Sequence, residues 1–112
     1  MASGDDLRKI ALSLPQAEER ETWGSATFRV RDKIFVIMSD DGTGASVKAT
    51  KDEQQALITE DPETFTFPAY VGHHGWIGVD VTRVGADHLR ELVTEAWRMT
   101  APKRVVRVFD SE

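Results

Sequence analysis

Apolar residues fall on two different periods along this chain, and the change of period marks out its elements. Leu7, Ile10, Ala11 and Leu14 recur at i, i+3, i+4 and i+7 behind Ser3-Gly4-Asp5-Asp6, which predicts a short capped helix over residues 4–14 that ends at Pro15. A charged run from Gln16 to Glu21 follows and reads as a solvated strand edge or a loop. The pattern then switches to a period of two. Ala26 to Val30 has strand propensity, with Phe28 and Val30 on one side and Arg29 and Arg31 on the other, and is expected to be peripheral. Lys33 to Met38 is apolar on both faces beyond its first residue, as a central strand would be. Arg31-Asp32 is short enough to be the turn between them, although it lacks the glycine that a tight primed turn prefers. Ser39 to Gly44 is a second turn, and Ala45 to Ala49 a third strand with Lys48 on its polar side.

Thr50-Lys51-Asp52-Glu53 has capping-box spacing, so a helix is predicted over Lys51–Thr59 with Ala56, Leu57 and Ile58 inward. Phe65 and Phe67 alternate with threonines. The runs Phe67–Val71 and Trp76–Val81 then flank Gly72-His73-His74-Gly75, which reads as a β-hairpin tipped by two histidines. Leu89, Leu92, Val93, Ala96 and Trp97 carry the clearest helical period, predicting a helix over residues 86–101 that Pro102 stops. The tail from Lys103 to Val108 alternates and is expected to add an edge strand or to fray. The order of elements is that of an α+β fold: one domain over residues 1–112, an antiparallel sheet with the N- and C-terminal helices packed on one face.

Composition narrows the chemistry. With 112 residues the chain is long enough for an ordinary core. It has no cysteine, which excludes disulfides, thiolate metal sites and a cysteine nucleophile and fits a reducing compartment. No apolar run suits a bilayer span and no basic-then-apolar leader opens the chain, so a cytoplasmic monomer without membrane contact is expected. The net charge of −5 opposes any strong sequence-independent attraction to phosphates, so a nucleic-acid face would have to be local.

Leu14-Pro15-Gln16-Ala17-Glu18-Glu19, Trp23-Gly24, Phe28-Arg29-Val30, Lys33-Ile34-Phe35, Val47-Lys48-Ala49, Pro68-Ala69-Tyr70, Trp76 and the stretch from Asp87 to Lys103 together resemble the bacterial MmcQ/YjbR-like family. The resemblance covers nearly all of the chain up to Lys103 and implies a CyaY-like α+β fold and DNA binding through two wing-like hairpins. The chain departs from the family pattern at Arg31-Asp32, where a glycine pair is expected, at Ala96-Trp97 in place of Ser-Tyr, and in a longer tail.

For that activity the candidate nucleic-acid residues are Arg29, Arg31, Lys33, Lys48, Lys103 and Arg104, with Arg107 nearby, and Trp23 or Trp76 offers a ring for an exposed base. The plain structural reading is that the cations balance neighbouring acids and the tryptophans fill the core. The alternative function is a small-molecule or protein-partner binding module using a concave sheet face lined by Trp23, Tyr70, His73 and Trp76. His73 and His74 are adjacent, which on a strand sends them to opposite faces, and Asp40-Asp41-Gly42 lacks the ligand spacing of a calcium loop. No nucleophile elbow, phosphate-cradling glycine loop or zinc-hydrolase histidine motif occurs, so neither enzyme activity nor a metal or other cofactor is expected.

Overall fold

The computed structural model describes residues 2–22 and 24–112. Helix α1 (Gly4–Leu12) starts where the sequence places it: the Ser3 hydroxyl accepts from the Asp6 N–H, and the Asp6 carboxylate accepts from the Ser3 N–H. Six strands follow: β1 (Ala17–Thr22), β2 (Ser25–Val30), β3 (Lys33–Met38), β4 (Gly44–Val47), then β5 (Phe65–Thr66) and β6 (Ile77–Asp80). Helix α2 (Lys51–Glu60) lies between β4 and β5, and α3 (Ala86–Thr100) and α4 (Lys103–Ser111) close the chain. The strands form one antiparallel sheet in the order β1-β2-β3-β4-β6-β5.

One face of this sheet carries the core. Phe28, Val36, Val47 and Ile77 form one cross-strand row beneath the helices, with Val30, Met38, Val79 and Phe65 beside it, all buried. Leu7, Ile10 and Ala11 of α1 and Leu89, Leu92, Val93, Ala96 and Trp97 of α3 pack against them as their spacing requires. The Trp97 ring N–H donates to the Pro15 carbonyl at 3.0 Å, so this buried indole is satisfied and ties α3 to the end of α1. The α+β architecture with helices on one sheet face is thus the observed one. No helix among the described residues is long and apolar enough to cross a membrane.

Five expectations give way to different arrangements. The charged run takes the strand-edge alternative of its reading: it becomes β1 at one edge of the sheet, so β2, expected to be peripheral, lies one strand in; charged side chains protect an exposed edge from pairing further. Strand β3 is central, as expected, but its consecutive buried residues come from a β-bulge: the register shifts between Phe28 and Arg29, Phe35 is the extra residue opposite them, and Phe35 and Val36 both bury. Residues 67–71 are not a strand, because Pro68 cannot donate to a ladder and the chain turns at Tyr70 (φ 65°). The pairing partner of β6 is Phe65–Thr66, and the connection between them is a ten-residue loop whose histidines sit in a single 3₁₀ turn, Gly72–His74. In α2 the inward residues are Gln54 and Leu57, while Ala56 is exposed. The tail is helix α4, because Val105, Val106 and Phe109 share one face at i, i+1 and i+4 and pack on the core. Phe109 lies 4.9 Å from Trp97 between ring centres, and Arg98 pairs with Asp110 at 2.5 Å.

Candidate nucleic-acid interface on the open sheet face

The other face of the sheet has no helix over it among the described residues, and the strand register arranges its side chains in three rows. The middle row crosses all six strands: Arg20, Thr27, Ile37, Ser46, Gly78 and Thr66. Toward the β2–β3 turn lies a second row, in which Glu18 faces Arg29 and Arg29 faces Ile34. The Lys48 N–H donates to the Phe35 carbonyl at 3.1 Å, and the β4–β6 register carried on by one residue sets Lys48 opposite Trp76. The third row, at the opposite end, reads Thr22, Ser25, Ser39, Gly44, Asp80 and Thr64, linked by the Ser39 N–H to Gly44 O (2.9 Å) and the Asp80 N–H to Thr64 O (2.8 Å). Charge therefore runs across the face from cationic at Arg29 and Lys48 to anionic at Asp80.

Arg29 shows how the basic row keeps its charge. Its guanidinium donates to the Thr27 hydroxyl (3.2 Å), the Thr22 hydroxyl (2.8 Å) and the Asp32 carbonyl (3.4 Å), all neutral acceptors. The acids nearby are taken by Arg20, which pairs with Glu18 at 2.6 Å and with Asp32 at 3.0 Å. Arg29 is thus held rigidly with no carboxylate partner among the described residues, and about two of its five N–H donors remain for a ligand. Lys48 is half-buried on the same face about 10 Å away, two strand spacings, also without an acidic partner among the described residues.

The remaining candidates separate. Arg31 and Asp32 both have positive φ (53° and 66°), the signature of a primed two-residue turn built without glycine. Turn residues leave the alternation of the strand, so Arg31 does not extend the Arg29 face; its Nε donates to Gln16 Oε1 at 2.9 Å, and Gln16 is itself at φ 61°. Lys33 faces Val30 and so lies on the helix-covered side of the sheet, at its rim. Lys103 and Arg104 stand exposed on the first turn of α4, away from the open face. Of the aromatic residues expected to line a concavity, Trp23 lies outside the described residues. Tyr70 is 91% exposed, His73 is exposed with its ring against Phe67, and Trp76 alone belongs to a row of the open face.

Comparison with known proteins adds the lineage. The YjbR family model matches residues 12–99. The chain belongs to the YjbR family. Uncharacterised proteins of Mycobacterium tuberculosis and Mycobacterium bovis are 34% identical to it over 79 residues, which is 70% of this chain and 53% of theirs. The chain therefore spans about half the length of those curated relatives. The crystal structure of a Deinococcus radiodurans protein carrying the domain DUF419 superposes with a TM-score of 0.78 at 21% identity, covering 88% of this chain and 78% of that one. That likeness establishes the fold. The YjbR match stops at Met99, so α4, with its Phe109 cap over Trp97, lies beyond it.

Two residues that position this YjbR surface carry no functional signal in the sequence. Gln54, 2% exposed, donates through Nε2 to Trp76 O (2.6 Å) and Gly72 O (3.0 Å), so a buried amide on α2 pins the loop that delivers Trp76 to the face. Its polar side chain inside a helical stripe is the only hint. Arg20, inside a run of glutamates, reads as one more surface charge until the register shows it holding Glu18 and Asp32 away from Arg29.

Proposed function

We propose that this domain is a weak DNA-binding module whose contact surface is the cationic row of the open sheet face, Arg29, Lys48 and Trp76. The observation that supports this most is the pairing of Arg29 and Lys48 on one uncovered face, both without acidic partners among the described residues, in the row that holds Trp76. Two cations and one ring suit a strand with unpaired bases: the cations contact phosphates and the indole stacks on a base. The scattered positions of Lys33, Lys103 and Arg104 and the net charge of −5 keep the affinity low, at about 10 µM or weaker near 50 mM salt.

The test compares cations on the two sides of the sheet. Fluorescence anisotropy of a labelled short single-stranded oligonucleotide should show Lys48→Glu weakening binding by about tenfold or more and Lys33→Glu changing it little. Equal effects of the two substitutions would mean that any binding is diffuse electrostatics, and the face assignment would fall.

A further inference from the structure

The anionic end of the open face has different properties from the cationic row. A groove of about 700 Å³ runs over the middle and third rows, floored by Ser25, Ser46, Thr66 and Gly78 and walled by Pro68 and Ala69. The hydroxyls of Ser25, Ser46 and Thr66 have no hydrogen-bond partner in the protein among the described residues, although their neighbours on the same rows are bonded: Thr27 to Arg20 O at 2.6 Å and Ser39 to Asp41 at 2.8 Å. These solvent-facing hydroxyls sit on alternate strands, β2, β4 and β5, so Ser46 and Thr66 flank β6 about 10 Å apart as two donor–acceptor groups that the fold does not use.

Two carboxylates line the same groove and are fixed in place. Asp80 Oδ1 accepts from the Thr82 N–H (3.0 Å) and hydroxyl (2.6 Å), and Glu63 Oε2 accepts from Arg83 at 2.8 Å. Fixed carboxylates accept hydrogen bonds from hydroxyl groups and repel anions. Pro68 and Ala69 offer an apolar wall, and Tyr70, next in the chain, is 91% exposed and held at φ 65°.

We propose that this groove binds a neutral, polyhydroxylated ligand of about disaccharide size, its hydroxyls shared among Ser46, Thr66 and Asp80 and its C–H face against Pro68 and Ala69. The volume lies within the range of small-molecule sites, and a polar floor with an apolar wall matches a ring that is polar at its edge and apolar on its face. The groove is a second site: the rim that suits a neutral ligand disfavours phosphate, so it neither requires nor supports the DNA reading.

Titration of ¹⁵N-labelled protein with maltose, cellobiose and the anionic disaccharide derivative lactobionate tests it. A neutral disaccharide should shift the Ser46, Thr66 and Gly78 amides saturably with a Kd of about 1 mM, and lactobionate should bind at least about tenfold more weakly. Thr66→Val, which removes the hydroxyl with little change of volume, combined with Ser46→Ala should weaken the neutral ligand by about tenfold with the amide spectrum otherwise native. Lys48→Glu should leave this binding unchanged, which separates it from the DNA row. Absence of shifts at those amides with both neutral probes at about 50 mM, or equal affinity for lactobionate, would overturn the proposal.

Discussion

Replacing Gln54 with leucine removes the amide that joins α2 to the loop carrying Trp76. Both bonds made by Nε2 are lost, to Trp76 O at 2.6 Å and to Gly72 O at 3.0 Å, in a site where the residue is 2% exposed and water does not readily substitute. Gly72 O keeps a second partner, the Gly75 N–H at 3.0 Å, so the larger cost falls on Trp76 O. An unsatisfied buried carbonyl costs about 1–3 kcal/mol, and the added apolar burial of leucine offsets part of it, which leaves a net loss of about 1–2 kcal/mol. For a domain of 112 residues that corresponds to a fall in Tm of about 4–10 °C.

The substitution Gln54→Glu sharpens the test, because a carboxylate facing two carbonyl oxygens is repelled and desolvated. The introduced carboxyl must therefore have a folded pKa above its unfolded value of about 4.3. A raised carboxyl pKa makes stability fall as pH rises from the unfolded value through the folded one, so this variant should be least stable at neutral pH and recover toward pH 4. Urea denaturation followed by far-UV circular dichroism at both pH values reads both effects. A loss below about 0.5 kcal/mol for Gln54→Leu, or no pH dependence for Gln54→Glu relative to the wild type, would show that this amide does not hold the loop.

Three further outcomes follow from the geometry. Changing Arg31 to Asn together with Asp32 to Gly supplies the residues that a primed turn favours and should raise stability by about 1 kcal/mol; an unchanged urea midpoint would mean that the two left-handed residues are not strained. Phe109→Ala uncovers Trp97 and should red-shift tryptophan emission and speed tryptic cleavage within α4, whereas unchanged emission would contradict the packing of α4 on α3. The Asp61 carboxyl is held below its usual range, first by the Thr64 hydroxyl, so its contribution to stability is present above about pH 4 and is lost as pH falls through the folded value; Asp61→Asn should flatten that acid limb, and an unaltered limb would refute the assignment.

The elements with one strong period are legible in the sequence: the buried stripe of α3 and the N-terminal cap of α1 are local patterns, and both occur as read, the cap in the form of a full capping box. What escapes such a reading depends on pairing. Strand β1 exists because Ala17–Thr22 finds β2 in register; its own exposed residues leave a strand edge and a loop equally open. The tail is a helix because Val105, Val106 and Phe109 find Trp97, while the alternation read there used Val108, which is 60% exposed. Of the site, Arg29 and Lys48 could be placed on polar strand faces by alternation. The detachment of Arg31 and Lys33 from that face could not, since it arises from a glycine-free turn and from the bulge at Phe35.

The most direct test of the central claim is the salt dependence of binding to a short single-stranded oligonucleotide. Two phosphate contacts by Arg29 and Lys48 release few counterions, so log K against log salt should have a slope of about −1.5, and Lys48→Glu should make it shallower by about one contact. A wild-type protein that shows no binding at low salt, or a slope that Lys48→Glu leaves unchanged, would contradict the assignment of the cationic row.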